Sequence, residues 1–299
     1  MNFVLLTEPS FFGVAMTTRV KKTASLLSML FILLAVQGLG LAEAATETIR
    51  INGSGAALDI LVPLVKAYGK RNPGVKFKVE KPLGSTGAIK ALLSGVLDIA
   101  VSSKILTSEE AAFGALAAEY GKIPLSIVSA AGVGKKDITT RELEDIYSGK
   151  VKKWPNGETI RIVLRPKEDI DTKILASLSR GMGTALREAY QRQGMLFAVT
   201  DPEAVESIVR TPGAIGIAAI CCAHARKGKM QALRLNGRKA TAKGVAEDTY
   251  PLAKDIRFIT TRKTTAAALD FLRFVYSAKG RAIAEKEGIL VTARSAGGL

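Results

Sequence analysis

From residue 46 onward the apolar positions switch repeatedly between a period of two and a period of three to four. "TIRINGS" (48–54) alternates as a strand does, and "AALDILVPLVKAYGKRN" then places Ile60, Leu61, Leu64, Val65 and Tyr68 on one helical face. "PGV" turns the chain into the strand "KFKVE", and "STGAIKALLSG" is a short helix closed by Gly95. "LDIAVSS" (97–103) predicts a third strand and "SEEAAFGALAAEYG" the next helix. This β–α succession predicts a parallel sheet with helices packed on its faces.

"KIPLSIVSAAGVG" (122–134) is a long extended stretch, able to leave one sheet and enter another. A helix ("TTRELEDIYSG"), the strand "IRIVLR", a long helix to about Arg192 and a helix from Pro202 to Arg210 follow. Then come the strand "AIGIAAI", a basic loop region, the strand "DIRFITT" and a final long helix, "TAAALDFLRFVYSAKGRAIAEKEG". A segment inserted mid-chain, with a late return to the first sheet, explains this order. The expected architecture is α/β and two-lobed: residues 45–125 plus 247–299 form lobe 1, residues 126–246 form lobe 2, and a cleft lies between them.

The N-terminal stretch changes what counts as the mature protein. Arg19, Lys21 and Lys22 precede "LLSMLFILLAVQGLGL", and Ala42-Glu43-Ala44 places small residues at the −3 and −1 positions. That is the pattern of a secretory signal peptide over residues 1–44. The apolar run is about the length of a short membrane span, so an uncleaved anchor is the alternative. Met16 offers a second start, and no cysteine near the cleavage point marks a lipid anchor. Cleavage gives an exported chain of 255 residues beginning at Ala45, with 40 Lys and Arg against 25 Asp and Glu. Such an excess suits acidic partners. The bases are scattered and not interleaved with aromatics, which argues against nucleic acid.

Cys221 and Cys222 are adjacent, and His224, the only histidine, is close by. "CCAH" invites a thiol–imidazole dyad or a metal site. A dyad needs an orienting group and an oxyanion hole, and neither is identifiable; a metal site has no partner cluster elsewhere. Packing beside "AIGIAAI" is the favoured reading, with no metal, no cofactor and no catalytic residue expected.

Two glycine-containing loops carry the binding chemistry. "NGSGAAL" and "GSTGA" each lead from a strand into a helix, so Ser54, Gly55, Ser85, Thr86 and Gly87 sit where free backbone N–H groups gather at helix N-termini. Neither loop is a nucleotide motif. Their shared position at the C-terminal ends of parallel strands is where open α/β sheets bind ligands.

These loops, with "LDIAVSS", "EDIYSGKVKKW" (including the lone Trp154), "TPGAIGI" and "FLRFVYSAKGRAI", resemble the periplasmic phosphate-binding proteins of ATP-driven importers. The resemblance runs from about Ile49 to Leu290. It implies a monomeric bivalve that closes on a small phosphate-like inorganic anion and hands it to an ABC permease in the inner membrane; a sensory or receptor ligand-binding protein without transport is the alternative. An enzyme acting through "CCAH" or the acidic cluster after Arg165 is disfavoured. The family's hydroxyl in the first loop is replaced by Ala57. Its Ser-Asp after the third strand reads Ser102–Ser103, followed by the cation Lys104. Its arginine matches Arg165, but "PKEDIDT" replaces Ser-Gly-Thr, leaving Thr172 as the only stand-in hydroxyl.

Convergence of Ser54, Ser85, Thr86, Ser103 and Arg165 on one point is therefore expected. Asp169 or Asp171 is expected to cap the following helix and compete for Arg165. On that reading, neutralising both acids strengthens oxyanion binding, and the wild type separates phosphate from sulfate poorly.

Overall fold

The computed structural model describes residues 46–294 apart from residue 227, so the signal peptide expected over residues 1–44 lies outside the described residues. The chain runs β1 (Glu47–Gly53), α1 (Gly55–Gly69), β2 (Val75–Val79), α2 (Gly84–Leu93), β3 (Ile99–Ser102) and α3 (Ser108–Ala112). It continues with β4 (Leu116–Ala130), β5 (Asp137–Ile138), α4 (Thr140–Tyr147), β6 (Arg161–Leu164), α5 (Ile170–Ala176), α6 (Arg180–Gln191) and β7 (Leu196–Phe197). Then follow α7 (Asp201–Arg210), β8 (Ala214–Ala219), α8 (Ile220–Ala225), β9 (Met230–Ala232), β10 (Arg234–Leu235) and α9 (Ala242–Ala246). The last elements are β11 (Ala253–Thr260), α10 (Ala266–Tyr276), α11 (Ala278–Lys286) and β12 (Leu290–Val291).

One strand joins two α/β halves. The main path of the sheet is β2-β1-β3-β11-β4-β8-β6-β7. Pairing is parallel among β2, β1 and β3, and again among β8, β6 and β7. Around β4 and β11 it is antiparallel. β4 pairs β11 through Pro124 and β8 from Leu125 onward, so its partner changes between two adjacent residues. Helices cover the faces, as apolar residues on both sides of such strands require. Two aromatic groups anchor the first half: Tyr68, Phe77 and Phe271, and Tyr120, Phe258 and Tyr276.

Three helices expected from periodicity are shorter or absent. "ALAAEYG" is the start of β4, because hydrogen bonding to β11 outweighs alanine's helix preference; Ala118 and Tyr120 point inward while Ala117 and Glu119 point out. The helix expected to reach Arg192 is two, α5 and α6, the second restarted where Ser179 Oγ caps Met182 N–H. The final helix also breaks, at Ser277, whose hydroxyl caps Gly280 N–H. In both places a serine supplies a competing cap within an apolar run. Among the described residues, no helix is long and apolar enough to cross a membrane.

Candidate functional site

β1 ends at Gly53, where a Cβ would lie 2.2 Å from the Val101 carbonyl oxygen; only glycine lets β1 and β3 approach there. Ser54 then precedes α1 without capping it through its side chain. Asn52, buried at the end of β1, accepts hydrogen bonds from the Gly53 and Leu83 N–H groups and donates to the Lys81 carbonyl. It thereby fixes the turn that starts α2. That helix also lacks a side-chain cap. Neither helix is capped by the side chain of its own N-cap residue, and both N-termini flank one space, where their partial positive charge favours an anion.

The space is a cleft of about 670 Å³, and Ser54, Gly55, Ser85, Thr86 and Arg165 all line it. Ser103 lies just behind: its N–H donates to Ser85 Oγ at 3.0 Å, and its hydroxyl stands 3.4 Å from Ser54 Oγ. Two expected ligand groups are placed elsewhere. Gly87 sits inside the first turn of α2, beside Leu83. Thr172 is turned inward on α5, where its hydroxyl meets Tyr190 of α6 at 3.4 Å. The helix begins at Ile170 with Asp169 as its cap, so Thr172 falls on the face that packs on α6. Lys104 reaches the cleft edge but is held by both Glu110 oxygens at 2.8 Å.

Arg165 is a buried cation on the cleft wall with donors to spare. It is 6% exposed, its Nη2 donates to Asp169 Oδ2 at 2.7 Å, and its Nε and Nη1 have no partner among the described residues. Tyr190 braces it from behind by donating to its carbonyl. Burial works against the guanidinium, but Asp201 and Asp169 outweigh it and keep the charge fixed. The acids of "RPKEDIDT" divide between two tasks. Asp169 caps α5 through Asp171 N–H and pairs with Arg165. Asp171 instead faces Lys254.

Lys254 and Asp201 went unnoticed in the sequence. Lys254 Nζ, almost fully buried in β11, donates to Asp171 Oδ1 at 2.9 Å, to Asp171 Oδ2 at 3.1 Å and to Asp201 Oδ1 at 2.9 Å. Asp201 Oδ2 accepts the Ala56 N–H, in the first turn of α1, at 3.2 Å. Burial pushes Asp171 up to about 7, with Lys254 opposing and Asp201 adding to the rise. Burial also disfavours the Asp201 carboxylate, but Lys254 and Arg165 hold it below the ordinary range. Nothing local set Lys254 apart, because Asp255 and Arg257 place two further charges in the same strand.

The cysteines stand apart from this cleft. Cys222 is buried in α8 and donates to Asp59 Oδ2 at 3.2 Å, Cys221 is half-buried and His224 exposed. Among the described residues, no three His, Cys, Asp or Glu side chains cluster as metal ligands do.

A family model described as a PBP superfamily domain matches residues 41–279. A Bacillus subtilis protein named Phosphate-binding protein PstS is 27% identical over 241 residues, covering 79% of this chain and 77% of the relative. A Borreliella burgdorferi protein of the same name is 24% identical over 252 residues, covering 82% and 90%. Among solved structures, a Clostridium perfringens substrate-binding protein assigned to a phosphate ABC transporter, crystallised with bound phosphate, superposes with a TM-score of 0.71 at 20% identity, covering 83% of this chain and all of that one. An ABC-type phosphate transport receptor from Vibrio cholerae gives a TM-score of 0.56 at 21% identity, covering 82% and 99%. The structural likenesses carry the fold.

Proposed function

The chain belongs to the PBP superfamily, and from that premise we propose that it is the solute-binding subunit of an ABC importer, taking phosphate or a related small oxyanion. The observation that carries this reading is Arg165: a buried guanidinium with Nε and Nη1 unpartnered, on the wall of a cleft that the N-termini of α1 and α2 also face. Such a set of donors fits an anion with several oxygens. Ser54, Ser85 and Thr86 add hydroxyls at the same cleft, and Ser103 holds Ser85 in place. The named relatives support the importer reading over that of a sensory ligand-binding protein.

The lobe boundaries follow β4. Its change of partner after Pro124 supports residues 45–125 plus 247–299 as one lobe and 126–246 as the other, with β4 as one of the connections about which they close. Export by a signal peptide ending at Ala44, a monomeric periplasmic protein and docking to an inner-membrane permease complete the proposal. The importer role involves no catalytic group.

Isothermal calorimetry with a panel of inorganic oxyanions tests the reading, with Arg165→Ala as control. Binding of at least one oxyanion by the wild type, lost in Arg165→Ala, is the expected result. Absence of binding to every oxyanion, or binding indifferent to Arg165, overturns it.

A further inference from the structure

We infer that Asp201 is a tethered carboxylate occupying part of the anion cleft, and that it sets how strongly the cleft takes a free oxyanion. This rests on the oxyanion reading of the cleft given above. The first ground is where the carboxylate sits. Asp201 is the first residue of α7, yet its oxygens engage Ala56 N–H of α1 at 3.2 Å and Lys254 Nζ of β11 at 2.9 Å. These are a donor in the first turn of a 15-residue helix, whose N-cap Ser54 makes no side-chain cap, and a buried ammonium. Both are groups that an incoming anion seeks.

The second ground is that nothing local requires this arrangement. α7 already has its own capping box, in which Thr200 Oγ1 accepts from Glu203 N–H and Glu203 returns a bond to Thr200 N–H. Asp201 is thus released from capping its own helix. The contact surface is shaped for it instead. A Cβ on Gly55 would lie 2.6 Å from Pro202 Cδ and 3.0 Å from Asp201 Cβ, so only glycine admits this close approach.

The third ground is charge. With Asp171 protonated, Asp169 and Asp201 already balance Arg165 and Lys254, and with Asp171 ionised the acids outnumber the bases by one. The unpartnered Arg165 nitrogens, the α2 N-terminus and the hydroxyls remain for a ligand. An oxyanion entering beside Asp201 meets a like charge in a poorly solvated site, which costs affinity.

The test is calorimetry with inorganic phosphate at neutral pH on the wild type, Asp201→Asn, Asp201→Ser, Arg165→Ala and the Asp201→Asn/Arg165→Ala double variant, each checked for fold by near-ultraviolet circular dichroism. At least a tenfold gain in phosphate affinity is expected for Asp201→Asn, and a gain of the same sign for Asp201→Ser. Arg165→Ala should abolish that gain in the double variant. Unchanged affinity in both Asp201 variants, with Arg165→Ala still lowering it, overturns the inference and leaves the oxyanion reading intact. Weaker binding in the Asp201 variants also overturns it, by making Asp201 a partner of the ligand. If no variant binds phosphate or any other oxyanion, the oxyanion reading fails and the inference with it. A gain that persists in the double variant lies outside the cleft and counts against it too.

Discussion

Lys254 and Asp171 lie 83 residues apart in the chain, and the lysine ammonium meets both carboxylate oxygens, at 2.9 and 3.1 Å. Asp201 shares the same ammonium. The three groups tie β11 to the starts of α5 and α7, at the floor of the cleft. Their pairing satisfies charges that could not otherwise be buried.

Removing the cation is expected to be costly. Lys254→Met leaves the Asp171 and Asp201 carboxylates buried without their shared ammonium, and a loss of about 3–5 kcal/mol is expected from the usual cost of breaking a buried pair. Neutralising both acids as well, in a Lys254→Met/Asp171→Asn/Asp201→Asn variant, should recover most of that loss. Urea denaturation of the three proteins checks this; a single variant as stable as wild type would contradict it.

Asp171 gives the fold a pH dependence with a definite sign. Burial raises it to about 7, above the unfolded value of roughly 3.9. The folded protein therefore keeps a proton that the unfolded chain has already released. The stability from this group is complete below the unfolded value and is lost as pH rises toward about 7. Asp201 has the opposite sign, since its contribution is present above the ordinary carboxylate range and lost only on strong acidification. Urea midpoints at pH 5 and pH 8 should fall more for the wild type than for Asp171→Asn. Equal falls would remove Asp171 as the cause.

The two acids of "RPKEDIDT" should respond differently to neutralisation. Asp169→Asn frees the Arg165 Nη2 and is expected to strengthen oxyanion binding by about 1 kcal/mol. Asp171→Asn should leave affinity within about 0.5 kcal/mol, because its carboxylate is spent on Lys254 and does not line the cleft. Calorimetric titrations of both variants separate these outcomes, and equal gains would mean that the acids act only through their summed charge.

Replacing Cys221 and Cys222 together by Ala should cost about 1–2 kcal/mol of stability, since the buried Cys222 side chain loses its packing and its hydrogen bond to Asp59. Oxyanion affinity should stay within about threefold, as neither thiol lines the cleft. A collapse of binding with the fold retained would give the thiols a part in the site.

The sequence by itself determined the alternation of strands and helices, the two glycine loops and the arginine after β6. These are local properties: periodicity, turn chemistry and a residue's place at a strand end act within a few positions. They led to the cleft wall of Ser54, Gly55, Ser85, Thr86 and Arg165. Periodicity misled where distant pairing outweighed it, as in "ALAAEYG", and where a serine restarted a helix within an apolar run. The identity of the buried ions was decided only by tertiary structure. Asp201 reads locally as an ordinary acid in a first helical turn, and Lys254 as one more base in a basic chain. Their meaning depends on an ammonium and two carboxylates, 53 and 83 residues away, meeting out of water. The register of β11 turns Lys254 inward, and the absence of a Cβ at Gly55 lets Asp201 reach α1. Burial then makes pairing obligatory, whereas on the surface the same three residues would be nearly independent.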